Sequence, residues 1–351
     1  MNAKERMLAA IEHRSVDRLP TDIWATPEAW NKLGAEFGDR DTAMTALHID
    51  GITSLGADYV GPPLPPVPDN ENIDFWGMRR RSIQHHGGSY MEQYFHPLAT
   101  ATTTDDLDAY AWPQADWFDY SGMKARGEEA GRHQIVRCGY MAPFYYHNLL
   151  RGLEQSLVDP LLNRELTHEI VRRICDFFYD HHRRMFEACP GLIDIAQVTD
   201  NLGSQTGPLI SMALYLEFYA GQHQRFIDLC HEFGIRVFHH DDGSCRQFLP
   251  SLVDMGIDIL NPVQWTCPGM DMVELKAEFG ERICFHGAVD NQHVLPFGTE
   301  EEVRAEVRHC VDSLGSDGTG YILAPCHNIQ GNTPIGNIIA MYDEAHKIGA
   351  R

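Results

Sequence analysis

Three things are scarce in this 351-residue chain, and each scarcity removes a class of protein. No run of 18 apolar residues occurs, so no segment reads as a membrane span. Positive charge is sparse. The 28 Lys and Arg residues stand against 50 Asp and Glu, and a net charge of −22 argues against a broad basic face for nucleic acid or anionic lipid. Paired cysteines are missing too: the nine are odd in number, scattered from Cys138 to Cys326, and form no Cys-x-x-Cys motif. That pattern suits reduced thiols in a cytoplasmic protein better than a disulfide framework. Met1 to Arg18 is charged throughout and lacks the apolar centre of a signal peptide.

What is present alternates. Lys4 to His13 reads as a short amphipathic helix, and Arg18 to Trp24 and Gly51 to Gly56 as strands. Val60 to Pro113 is irregular, rich in Pro, Gly, charge and aromatics, and carries Trp76, His85, His86, Tyr94 and His96. From Gln134 onward strands are expected at 134–138, 193–198, 235–240, 257–262, 282–287 and 321–325. Helices at about 149–188, 212–233, 246–255, 270–279, 300–314 and 335–347 follow them. Eight strands in strict alternation with helices predict an α/β fold, the (β/α)8 TIM barrel. The rival doubly wound sheet is disfavoured, because no glycine-rich phosphate loop follows the first strand. The chain is therefore expected to be a single barrel domain over 1–351. Its N-terminal part carries a helical and irregular insert, at about 60–130, as a lid or subdomain.

A parallel barrel puts its chemistry just past the strand ends. The predicted ends carry Asp22 and Trp24, Cys138, Asp200, His240 and Asp242, Asn261, His286 and Asp290, and Cys326. His240 and Asp242 are two apart on an extended segment, so their side chains share a side and can face one ion. With Cys326 they offer the nitrogen, oxygen and sulfur donors of a catalytic zinc site with an open position. The plain alternative is a hydrogen-bonded histidine and a buried thiol. Asp200, followed by the turn Asn201-Leu-Gly203, is either a site carboxylate or a helix or turn cap. Trp24, Trp76, Tyr146 and Asn261 are candidates to contact a substrate, with core packing the alternative for the aromatic residues.

The same residues resemble the uroporphyrinogen decarboxylase superfamily. The likeness lies in Arg6 to His13 with Asp17-Arg-Leu-Pro20, in Asp74-Phe-Trp-Gly77 and in Asp200 to Ser211 with Tyr215 to Tyr219. It continues in His240 to Ser244, Gly287 to Gln292 and Leu323-Ala-Pro-Cys-His327 with Thr333, Pro334 and Asn337. The resemblance implies a (β/α)8 barrel and one of two chemistries. The metal-free decarboxylases grip substrate carboxylates with an arginine-rich segment after the first strand, and here Asp22-Ile-Trp-Ala-Thr-Pro27 holds no arginine. The other branch comprises zinc-dependent, corrinoid-linked methyltransferases of the coenzyme M methyltransferase and O-demethylase types. Their His-x-Cys-Gly pattern is similar to His240-Asp-Asp242-Gly243 here, with Cys326 matching their later cysteine.

Asp242 in place of a cysteine leaves a zinc more Lewis-acidic. That favours methyl transfer from an O-methyl ether, such as a methoxylated aromatic, over methylation of a thiol. A metal-free lyase is the further alternative. The resemblance implies zinc and a corrinoid (cobalamin) as cofactors. The corrinoid would arrive free or on a partner protein, and homodimers are frequent in the family. His286 is expected as a fourth ligand or as an acid near the leaving oxygen, and Asp200 as the group that orients substrate.

Overall fold

Seven parallel strands follow one another around a sheet in sequence order in the computed structural model, which describes residues 1–85 and 88–349. They are Ile52–Leu55, Ile135–Met141, Ile195–Val198, Arg236–His240, Ile259–Asn261, Cys284–Val289 and Tyr321–Pro325. The segment Pro20 to Ala25 closes the ring. On one side it pairs parallel through Thr21 with Leu323 and through Ala25 with Ile329. On the other the Asp50 and Gly51 amides donate to the Thr21 carbonyl at 3.0 and 3.2 Å. The eighth strand expected at Arg18–Trp24 is thus a closing strip rather than a regular strand. Pro20 has no amide to give to a ladder, and the Thr21 amide is taken by the Asp50 carboxylate at 3.1 Å.

Why the barrel is solid below and open above follows from period-two alternation along the strands. Ile135, Ile195, Phe238, Ile259, Cys284 and Ile322 point inward and form one buried apolar cluster. The first helix, Ala3–Ile11, plugs the bottom by adding Met7, Ala10 and Ile11 to that cluster. Asn2 caps this helix in a reciprocal box with Glu5. Outside the strands, the long helix Arg164–Ala188 buries Ile170, Ile174, Phe177 and Phe178 in the second, larger core between sheet and helices.

Several boundaries differ from the sequence expectation. The helical stretch foreseen at 149–188 is three helices, Pro143–Arg151, Leu153–Leu162 and Arg164–Ala188. Gly152 parts the first two with a φ of 84°, a value that costs glycine little. The irregular stretch contains a three-stranded antiparallel sheet, Glu71–Ile73, Arg79–His85 and Gly88–Phe95. Its hairpin was hidden because three consecutive arginines, Arg79 to Arg81, break the apolar alternation of the first arm. His86 lies outside the described residues. Among the described residues no helix is long and apolar enough to cross a membrane.

Candidate metal and substrate site

Two residues beyond the apolar floor residues of six strands, the same alternation sets a polar one, whereas Ile322 is followed by Ala324. Ile52 is followed by Ser54, Ile135 by Arg137, Ile195 by Gln197, Phe238 by His240, Ile259 by Asn261 and Cys284 by His286. This second layer roofs the floor, and Ser54, Arg137, Gln197 and His240 of it line the mouth of the barrel. The mouth holds a cavity of about 840 Å³ lined by Asp22, Trp24, Arg137, Tyr140, Gln197, His240 and His327 among others. A neighbouring lobe of about 550 Å³ shares Tyr90 and His327 with it and adds Asp242 and Cys326.

A chain of hydrogen bonds runs through the roof. Trp24 Nε1 donates to Asp22 Oδ2 at 3.1 Å, and His286 Nε2 meets the same oxygen at 3.1 Å. His286 Nδ1 lies 2.7 Å from Asn261 Nδ2, and Asn261 Oδ1 lies 2.6 Å from His240 Nδ1. Starting from the Asp22 carboxylate, which can only accept, every proton is assigned in turn. His286 carries its proton on Nε2, so its Nδ1 accepts from the Asn261 amide. The Asn261 oxygen then accepts from His240 Nδ1–H, and His240 is left with a bare lone pair on Nε2. A histidine held this way by its other nitrogen is oriented as metal ligands are.

That lone pair points to a cluster. His240 Nε2 lies 3.5 Å from Asp242 Oδ2, and His327 Nε2 lies 3.8 Å from the same oxygen. The ligand atoms of His240, Asp242 and His327 all fall within 4.8 Å of one another. A tetrahedral zinc with bonds of about 2.0–2.2 Å spaces its donors by roughly 3.4 Å, so the donor set fits such an ion. Burial works against a charged His240, but Asp242, Asn261 and Asp241 together raise its pKa, so a proton and a metal ion compete for the same Nε2 lone pair. Burial keeps His327 below its ordinary pKa, hence neutral and able to donate a lone pair. Asp242 is fixed by a close crossing of two loops. A Cβ on Gly243, whose φ is 77°, would stand 2.5 Å from the Ser204 carbonyl oxygen. The Gly243 amide donates to Gln264 Oε1 at 2.8 Å.

The sequence-predicted residues divide accordingly. His240, Asp242 and Trp24 meet at the mouth. Cys326 does not join the cluster: its Sγ lies 3.4 Å from the Val263 carbonyl oxygen, in the thiol's donor role, and burial pushes its pKa well up. His327, the residue after it, takes the place beside Asp242. Neither nitrogen of His286 is free to reach the cavity, since Asp22 and Asn261 occupy both, so it stands behind His240 rather than beside a leaving group. Asn261, fully buried, orients His240 and His286 instead of lining the cavity.

Asp200 is 1% exposed and accepts from the amides of Phe144 and Tyr145 at 3.0 and 2.7 Å. It therefore caps the helix Pro143–Arg151, the turn-cap role foreseen as its alternative. Trp76 is 2% exposed and packed on Tyr146, Phe177 and Phe178, with ring centroids 5.2, 5.2 and 5.5 Å away. Its place is core. Tyr146 packs on Trp76 and borders a third lobe of about 350 Å³ together with Arg137 and Tyr140. Sequence reasoning missed His327 and Arg137 as site residues.

A parallel barrel with a polar, histidine-bearing mouth is the architecture of a large class of enzymes. The family described as uroporphyrinogen decarboxylase (URO-D) matches residues 127–348, and the chain belongs to it. The uroporphyrinogen decarboxylase of Methylibium petroleiphilum is 32% identical over 101 residues, 28% of this chain and 26% of that protein. That of Dechloromonas aromatica is 29% identical over 99 residues, again 28% of this chain and 26% of the relative. The similarity thus spans about a quarter of the length of these curated relatives. A methyltransferase from Methanosarcina mazei shares the fold over 99% of both chains, with a TM-score of 0.68 at 18% identity.

Proposed function

We propose that the protein is a zinc-dependent methyltransferase. It moves a methyl group between a small substrate, favoured as an O-methyl ether such as a methoxylated aromatic, and a corrinoid carried by a partner protein. The observation that carries the reading is the convergence of His240, Asp242 and His327, with the His240 lone pair aimed by Asn261. Two nitrogens and one oxygen make a harder donor set than thiolates do, which suits an oxygen substrate better than a thiol. Zinc held there supplies Lewis acidity toward an ether oxygen, and the corrinoid supplies the partner for the methyl group.

The chain's own residues do the rest. His240 and Asp242 lie on the barrel's upper rim, and Trp24 offers a flat wall 5.4 Å from the His240 ring. Tyr90, on the hairpin Arg79 to Phe95, lines both lobes of the mouth. In this reading residues 1–351 act as one barrel domain, and the stretch at about 60–130 serves as its lid, holding water away from the reacting atoms.

The test is metal content by elemental mass spectrometry on protein purified without added metal. About one zinc per chain is expected in the wild type, lost in His240→Ala, Asp242→Ala and His327→Ala and kept in Cys326→Ser. A wild type that holds no zinc and takes none up would move the reading to a metal-free lyase of the same fold. Zinc lost in Cys326→Ser would return the thiolate to the ligand set.

A further inference from the structure

In a chain with so few cations, nearly every arginine is spent on a carboxylate. Among the described residues four have none within 4.0 Å: Arg40, Arg79, Arg81 and Arg137. Arg79 and Arg81 lie over exposed rings of the hairpin, Phe95 and Tyr94. The other two line the mouth cavity.

Arg137 is the one placed by the barrel itself. It stands a layer above Ile135, inward-facing, in register with Ser54 of the adjacent strand. Its Nη2 donates to the Ser54 hydroxyl at 2.9 Å. That bond orients the guanidinium and leaves most of its five N–H donors without a protein acceptor, facing the cavity. Trp24 joins this end of the cavity to the other. Its ring lies 5.8 Å from Arg137 Cζ on one side and has the His240 and His327 rings 5.4 and 6.1 Å away. The nearest carboxylate influence, Asp22, is already engaged by Trp24 and His286.

We propose that Arg137, oriented by Ser54, is a carboxylate-binding residue, and that the substrate is an aromatic ether acid. Its carboxylate seats on the guanidinium, its ring lies along Trp24, and its ether end faces His240, Asp242 and His327. The position of the ether end rests on the methyl-transfer reading above, whereas the carboxylate seat does not. A guanidinium fork matches a carboxylate through two parallel N–H···O bonds, a geometry that a lysine cannot reproduce.

The experiment is a calorimetric titration of the whole protein with 4-methoxybenzoate and with its neutral counterpart 4-methoxybenzyl alcohol, without turnover. The wild type is expected to bind the acid about 10- to 100-fold more tightly than the alcohol, the range for hydrogen bonds to a charged group. Arg137→Gln should erase that preference at unchanged alcohol affinity and melting temperature. Arg137→Lys should restore part of it, and Ser54→Ala, the milder variant should Arg137→Gln fold poorly, should reduce it a few-fold. Equal wild-type affinities, or a preference that survives in a folded Arg137→Gln, would overturn the proposal. So would inorganic phosphate competing as well as the acid, which would mark a general anion seat. A wild type free of zinc that still prefers the acid would sink the methyl-transfer reading and leave the carboxylate seat standing.

Discussion

The barrel interior holds two layers that differ by a step of two residues and by everything else. The lower, of Ile135, Ile195, Phe238, Ile259, Cys284 and Ile322, is dry, and dispersion and the removal of apolar surface from water hold it together. In the upper, of Ser54, Arg137, Gln197, His240, Asn261 and His286, the last four are buried polar groups whose desolvation only directed hydrogen bonds offset, while Arg137 is half-buried and Ser54 exposed at the mouth. The lower layer tolerates a change of side chain of similar volume. The upper one does not, because each proton in the Asp22–His286–Asn261–His240 chain is fixed by its neighbour. Stability is expected to reside in the first layer and the proposed chemistry in the second.

Three substitutions would break or sharpen that contrast. Phe238→Ala opens the floor where the side chain is fully buried. It should cost about 3–5 kcal/mol in denaturant unfolding, the largest effect expected. A loss below about 1 kcal/mol would mean that the floor is not where the barrel's stability resides. Asn261→Leu keeps the volume of the roof but cuts the chain in its middle. Zinc affinity, measured by competition with a chelator, should fall about 10- to 100-fold with all three ligands intact. Unfolding should register a smaller loss, about 1–3 kcal/mol, for the donors and acceptors left unpaired. Unchanged zinc affinity would remove Asn261 from the positioning role. Asp200→Asn touches neither layer. It should weaken the cap on Pro143–Arg151 by about 1 kcal/mol and leave zinc content and ligand binding as they were. A collapse of ligand binding in a stable protein would bring Asp200 back to the cavity.

Much of this was legible in the sequence, and the limits have physical causes. The eight-fold alternation gave the barrel, and strand periodicity brought His240 and Asp242 to one side, as found. That Asn261 and His286 point at each other rather than at the cavity depends on how neighbouring strands are staggered around the closed ring, which one strand's pattern does not contain. Arg137 sits inside a predicted strand, but its lack of a carboxylate partner becomes visible only once its neighbours are in place. His327 lies past the end of its strand, where period two no longer governs direction, so the strand pattern pointed to Cys326, whereas the residue that stands beside Asp242 is His327. Asp200 finds its partners in Phe144 and Tyr145, more than fifty residues earlier, on a helix whose start the sequence placed six residues late.

The strip Pro20 to Ala25 has a bearing on how the barrel breathes. Seven staves of the barrel are clamped by regular ladders, whereas this one is bonded along its length to Leu323 and Ile329 on one side but on the other only through the Thr21 carbonyl and the Asp50 carboxylate. A tube made this way has a seam. Opening is expected to cost less there than where the ladders are complete. The seam carries Asp22 and Trp24, one the anchor of the histidine chain and the other the wall between guanidinium and imidazoles. The joint with the fewest ladder bonds is also the one that sets how far apart the two ends of the cavity stand.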